Sequence, residues 1–412
     1  MKLNELALSE RTHIEDLPQF FRDLSDRGVS IQQTVLKARA EPNAVKTMRR
    51  FTVPEMAEFM GMTRINLHKA LEEFPGDFGE HEGKARTYSV AEFDEIRRFF
   101  RNKRNRSKRY EVGRPEGGAG KVISVANFKG GAAKTTHAIH LAQYLALRGY
   151  RVLAIDMDSQ ASLTSMFGHT PDQDFFDDFE TKEFQTIYPV VATAVADAMD
   201  VVRKSHISGL DLIPCNADLH RTEFELPAMQ MQNPGMRFYG ILDEALRSAR
   251  QEYDVIVIDC PPALNYVTIN AIFASDGLFI PVPPHMIDFA STCRFLAMLA
   301  DVLEVIGRQD QREKSLDFVR LFVSRFDPGD RNQGMIIKML AQHFGEVLLP
   351  AGMVRTTMLD YAGAWIETLY EIADPPTRKT YKRARESMDE LNSAMEQVIR
   401  TSWEPATTVA AA

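Results

Sequence analysis

The sequence predicts an α/β fold, a mostly parallel sheet with helices on both faces, preceded by a small and mainly helical N-terminal domain. Three observations predict it. Beyond residue 120, short β-rich runs (122–126, 151–155, 211–213, 255–258, 277–282, 318–323) alternate with helical ones (135–148, 239–251). Such alternation is the sequence form of βαβ units. The stretch Val112-Gly-Arg-Pro-Glu-Gly-Gly-Ala-Gly120 has nothing to bury and separates this rhythm from the N-terminal segment. Charge divides at the same place: residues 1–120 hold 22 Lys+Arg against 19 Asp+Glu, and the remainder 27 against 38, so +3 gives way to −11.

At about 150 residues per domain, the 412 residues suffice for two or three domains. The predicted organisation is a helical arm (1–50), a small helical domain (51–111), a Gly-rich linker (112–120), the α/β domain (121–400) and a tail (401–412). With 44% apolar and 26% charged residues the composition is that of an ordinary globular protein. No apolar run reaches the length of a bilayer span, and MKLNELALSERTH has no signal-peptide core, so a cytoplasmic location is expected. Cys215, Cys260 and Cys293 are too few and too scattered for a disulfide framework or a metal site.

In the arm, Ile14, Leu17, Phe20, Phe21 and Leu24 carry helical spacing up to Gly28, fitting either a dimer-forming or a packing element. Phe51 to Phe74 reads as two short helices around a turn. Pro54 suits a first helical turn, Ala57 permits a close helix crossing, Gly61 permits the bend and Thr63 caps the second helix. Ala57, Met62, Leu67 and Leu71 then face inward, leaving Arg64, Asn66, His68 and Lys69 outward, where a helix-turn-helix reads base edges. The next segment, Arg86 to Arg97, resembles the wing and helix of MerR-like winged domains. From Arg97 to Arg109 there are eight basic residues and no acid, a phosphate-contacting run or a basic linker.

Past the linker, the run 122–126 leads into Asn127-Phe-Lys129-Gly130-Gly131-Ala132-Ala133-Lys134-Thr135-Thr136, and a helical pattern comes next. Strand, glycine-rich turn and helix form the arrangement a triphosphate needs. Backbone N–H groups turn inward, the helix N-terminus adds its positive end, Lys134 supplies a point charge and Thr135 places a hydroxyl on Mg²⁺. Phe128 and Ala133 stand where the ordinary GxxxxGK[ST] loop has glycines, and Ala133 costs the turn some backbone freedom. Asp156-Met-Asp158-Ser-Gln160 ends one strand run, placing two carboxylates beside the crevice where open α/β sheets bind ligands, or simply capping the next segment of chain. Val255-Ile-Val-Ile-Asp259 is an apolar strand that delivers an aspartate to a Mg²⁺ site, the Walker B form. His137 and His140 have no partner ligand at metal spacing and are read as packing or surface residues.

KGGxxK[ST] with a second lysine is the deviant Walker A loop, and over most of 121–395 the chain resembles the ParA/MinD family of P-loop ATPases. With the N-terminal helix-turn-helix it is similar to the large plasmid-partition ATPases, in particular the RepA group of repABC-type replicons. The resemblance implies ATP and Mg²⁺ as cofactors, bound by Lys129 to Thr136, with Thr135, Asp259 and Asp156 at the metal. Lys134 is implied as the cis lysine, Lys129 as a trans lysine reaching the partner's phosphates across a sandwich dimer, and Asp158 as the residue that positions or activates the attacking water. Asp156 is implied to shape the loop or touch the metal shell, and Asn270 and Pro281 to Pro283 to be structural. The activity implied is weak basal ATP hydrolysis, accelerated by a ParB-type centromere-binding partner, on a nucleoid-associated homodimer that segregates plasmids and represses its own operon. Sequence-independent DNA contacts fall to Arg355 and to Arg378, Lys379, Lys382, Arg383 and Arg385, unless that cluster is a solvated helix face. The alternatives are a nucleotide-gated repressor without motor activity and a MinD-like positioning ATPase, the second needing a basic amphipathic terminal helix that Thr401-Ser-Trp-Glu-Pro does not supply.

Overall fold

The computed structural model describes residues 46–76, 78–82, 85–102, 112–310 and 314–404, with scattered residues between 19 and 34. The chain divides into two units, Met1–Val45 and Lys46–Ala412. In the first, the described residues are helical, and Gln19 donates to Asp23 and the Thr34 hydroxyl to the Ser30 carbonyl, each one turn away. Ile14, Leu17 and Phe20, like Lys103 to Arg109 of the basic run, lie outside the described residues.

The second unit opens with a helix pair and a hairpin. Strand β1 (Phe51–Thr52) leads into α1 (Val53–Phe59), where the Glu55 carboxylate accepts from both the N–H and the hydroxyl of Thr52, a capping arrangement with Pro54 in the first turn. Gly61 takes a left-handed conformation (φ 62°), and the Met62 N–H bonds back to Ala57 at 2.8 Å. Thr63 then caps α2 (Arg64–Glu72), accepting from the Asn66 N–H. Strands β2 (Glu80–Glu82) and β3 (Ala85–Tyr88) form the hairpin, β3 also pairs antiparallel with β1, and α3 (Val90–Asn102) comes after. Helix, turn, helix and hairpin thus follow one another, with Ala57 and Leu67 buried and Met62 and Leu71 partly so.

The main sheet has seven strands in the order β10-β9-β4-β8-β5-β7-β6: β4 (Lys121–Val125), β5 (Val152–Asp156), β6 (Arg203–Lys204), β7 (Leu210–Ile213), β8 (Val255–Asp259), β9 (Gly277–Val282) and β10 (Phe318–Val323). All pairs are parallel except the edge pair β6–β7. The central strands are continuous apolar runs because helices cover both faces. One face packs on α4 (Lys134–Arg148) and α7 (Arg378–Thr401), the other on α5 (Tyr266–Ala274) and α6 (Met286–Asp310). The single helix expected over 239–251 is instead a 3₁₀ turn and two short helices, Ile241–Ala245 and Ala249–Glu252.

The helix pair shares its core with α4 and α7. Phe59 meets Tyr144 and Tyr370 edge-on, the Arg385 guanidinium lies over both Phe59 and Tyr370, and Arg148 donates to the Phe59 carbonyl at 2.7 Å. Two cations read from the sequence as DNA-contacting or solvent-facing are thereby corrected. Arg385 is buried and paired with Asp389, and Arg97 pairs with Asp94 and donates to the Leu147 carbonyl. Both side chains are spent inside the unit. The 112–120 spacer is also tied down: Arg114 donates to main-chain carbonyls of Arg250, Gln251 and Tyr253, and Gly120 sits where any Cβ would fall 2.2 Å from the Tyr253 carbonyl oxygen.

Candidate nucleotide site

Strand pairing assembles the site. Val125 lies opposite Asp259 on β4–β8, and Asp156 opposite Asp259 on β5–β8, so three strands end side by side at one edge of the sheet. That edge is where parallel α/β sheets bind ligands. The loop leaving β4 is pinned by Asn127, whose amide donates to the Pro281 carbonyl (2.6 Å) and Thr292 hydroxyl (3.1 Å) while its oxygen accepts from the Lys129 N–H. The loop closes through two left-handed residues, Gly131 (φ 76°) and Ala133 (φ 70°). Ala133 thus holds a conformation that glycine adopts without strain, and the turn keeps its shape.

Lys134 opens α4 with its side chain buried, its ammonium 3.3 Å from the Lys129 carbonyl. Burial pushes its pKa down, and the carboxylates of Asp259 and Asp158 and the Cys260 thiol oppose that shift. Asp259 is fully buried, and neither carboxylate oxygen has a hydrogen-bond partner among the described residues. Burial and the Asp156 charge push its acid well above the usual range, against the pull of the nearby Thr135 hydroxyl and Lys134. An uncompensated buried carboxylate is costly, and a cation is what relieves it.

Asp156 is different. Its Oδ2 accepts from the N–H and hydroxyl of Thr164 (2.8 and 2.7 Å) and its Oδ1 from the Asp158 N–H. Burial raises its pKa to about 6, partly countered by these donors. Both oxygens thus accept from donors of the loop itself, the geometry expected of a loop-shaping carboxylate. Asp158 is half-buried; one of its oxygens accepts from the Gln160 N–H and its carbonyl accepts from Ala161. Lys129 reaches the surface, its ammonium 3.0 Å from the Asp288 carboxylate in the first turn of α6. Phe128, Met286 and Ile287 are exposed in the same two segments.

Asn127 and Asp288 went unread in the sequence as partners of this loop, because their significance comes from β9 and α6, some 150 residues away. His140 is buried, accepting from the Leu369 N–H, and His137 packs edge-on against Phe322; burial holds both neutral, at about 4 and about 3. Asn270 joins the Leu242 N–H to the Tyr266 carbonyl, a structural part. Cys260 is buried and its thiol is pushed up to about 12.

Two further surfaces carry exposed cations. On α2, Arg64, Asn66, His68 and Lys69 are all exposed. Arg355, Lys379, Lys382 and Arg383 line one open cavity of about 810 Å³ together with Asp327, Asp360 and Glu386, so the fold brings Arg355 to the N-terminal half of α7.

The sequence profile of a family described as an AAA domain matches residues 120–310. A protein described as a replication protein A of Sinorhizobium fredii (strain NBRC 101917 / NGR234) is 32% identical over 405 residues, 97% of each chain. The chromosome partitioning protein ParA of Caulobacter vibrioides is 31% identical over 273 residues, 65% of this chain and 93% of that one. A solved structure of a partition protein has the same fold, with a TM-score of 0.63 at 20% identity over 94% of this chain and 99% of that one. A buried Walker B carboxylate facing a lysine-bearing glycine loop, on a sheet shared with these relatives, leaves one conclusion: the chain belongs to the ParA family of P-loop ATPases.

Proposed function

We propose that this protein is a plasmid-partition ATPase that uses Mg²⁺ and ATP, dimerises on the loaded nucleotide, and contacts DNA in two ways. The observation that carries the reading is the gathering of Lys134, Thr135 and Asp158 around Asp259 at adjoining strand ends, with neither Asp259 carboxylate oxygen hydrogen-bonded among the described residues. Loop N–H groups and the α4 N-terminus cradle the phosphates, and Lys134 neutralises their charge. Thr135 and Asp259 fit a Mg²⁺ ion, which supplies charge neutralisation on the phosphate oxygens. Asp158, half-exposed beside them, positions the attacking water.

Lys129 is the trans lysine of a homodimer. Its ammonium is accessible and rests on Asp288, a contact that a partner's terminal phosphate displaces. Hydrolysis removes that charge and the dimer loosens, a population shift governed by one phosphoryl group. Arg64, Asn66, His68 and Lys69 read operator DNA for autorepression. Arg355 with Lys379, Lys382 and Arg383 binds nucleoid DNA without sequence preference, as clustered cations do. A ParB-type partner accelerates turnover, and the protein works in the cytoplasm.

A membrane-positioning role of the MinD kind is disfavoured by α7. Its apolar face, Ala384, Met388, Leu391, Met395 and Ile399, is buried in the core, and no described helix is long and apolar enough to cross a membrane. The deciding experiment measures phosphate release by the full chain alone, with DNA, and with DNA plus the ParB-type protein. The proposal expects slow basal release that rises several-fold only with both; no hydrolysis under any condition would leave a nucleotide-gated repressor instead.

A further inference from the structure

Among the described residues, six that are not glycine adopt a left-handed backbone, and three of them stand at strand ends around the nucleotide site: Ala133 (φ 70°), Ala161 (φ 51°) and Arg325 (φ 54°). The first two belong to loops already assigned. Arg325 does not. It lies just past β10, the edge strand two places from β4, and nothing in the ATPase motifs accounts for a long cationic side chain on a strained backbone there.

Its environment shows what the strain holds in place. Ser324 just before it is buried and donates its N–H to Val282, while Phe326 just after it donates to the Met353 carbonyl and accepts from the Arg355 N–H. The backbone is pinned on both sides and the kink falls on Arg325 alone. That kink sends the guanidinium across to the phosphate loop, where Nη1 donates to the Gly131 carbonyl at 2.9 Å. Because a trans peptide points its C=O and N–H in opposite directions, fixing the Gly131 carbonyl toward Arg325 fixes the Ala132 N–H away from it. A phosphate-cradling turn has to aim that N–H.

We propose that Arg325 is a positioning residue for nucleotide binding: it clamps the Gly131–Ala132 peptide and so preorganises a phosphate loop in which Phe128 and Ala133 replace the usual glycines. A glycine-poor loop closes through fewer permissive positions, and a tether from outside supplies the missing definition. The inference rests on the reading of Gly130 to Thr136 as the phosphate loop. It concerns the bound α- and β-phosphates, which ADP and ATP share, and requires no contact between Arg325 and the ligand.

The test compares Arg325→Gly, Arg325→Lys and Lys134→Ala in the full chain, titrating fluorescent ADP and ATP analogues with Mg²⁺ and recording the melting temperature without nucleotide. Glycine relieves the left-handed strain while removing the clamp, so stability and affinity should part. Arg325→Gly is expected to weaken ADP and ATP alike by about three- to tenfold, with a melting temperature unchanged or raised, and Arg325→Lys to recover most of the affinity. Wild-type affinity in Arg325→Gly, loss for ATP only, or a melting temperature that falls in step with affinity would each overturn the proposal. If Lys134→Ala also binds nucleotide normally, the reading of the loop fails; if it does not, an inert Arg325→Gly condemns the clamp alone.

Discussion

Asp156 and Asp259 at the nucleotide site, and Glu371 and Glu55 at the seam between the helix pair and the sheet, are pushed in opposite directions. At the site, burial raises Asp156 to about 6 and Asp259 well above its usual range. At the seam, burial also acts to raise Glu371 and Glu55, yet cations win. Lys46 and His206 bring Glu371 down to about 2, and Arg49 holds Glu55 low. These seam carboxylates are met by cations and donors, and Arg148, Tyr144 and Tyr150 likewise gather on Glu396. At the site, neither Asp259 oxygen is hydrogen-bonded among the described residues, and an Mg·ATP complex is the kind of partner that completes it. One region stores rigidity, the other stores an unmet demand for cations and phosphate.

The largest expected effect falls at the nucleotide site: Lys134→Ala should lower nucleotide affinity on the order of a thousandfold, read by titration, with little change in the melting temperature of the nucleotide-free protein. At the seam, Glu371→Gln should cost about 3 kcal/mol at pH 7, measured by urea unfolding. The sign comes from the depressed pKa: the carboxylate's contribution is complete above about 4.5 and is lost as pH falls toward 2, so the gap between wild type and variant narrows in acid. A gap independent of pH would mean that Glu371 acts through packing alone. Asp158→Ala should slow phosphate release about a hundredfold while sparing ATP binding, and release at the normal rate would remove the water-positioning assignment. The smallest effect is at the seam, where Arg148→Met loses its bonds to Phe59 and Glu396 and should cost about 1 to 2 kcal/mol without altering ATP affinity.

Much of the sheet was legible because parallel strands buried on both faces are short apolar runs, and the observed strands begin and end within a residue or so of the predicted ones. The phosphate loop and the two acidic strand ends were legible because their chemistry is local in the chain. What tertiary contact alone creates was not. Asn127, Asp288 and Arg325 act on the loop from, or through, segments more than 150 residues apart. Counting cations along α7 groups Arg385 with the exposed cluster, and the fold buries it. The helix's own periodicity, with Ala384, Met388, Leu391 and Met395 at helical spacing beside it, places that arginine on the buried face.

Self-association that responds to the terminal phosphate through Lys129 is the step on which the proposed cycle depends. Light scattering coupled to size exclusion, comparing wild type with Lys129→Ala in Mg·ATP and in Mg·ADP, tests this most directly. Wild type should run as a larger species in ATP than in ADP, and Lys129→Ala should bind ATP yet show no difference between the two. An ATP-dependent increase in mass that survives in Lys129→Ala would contradict the account.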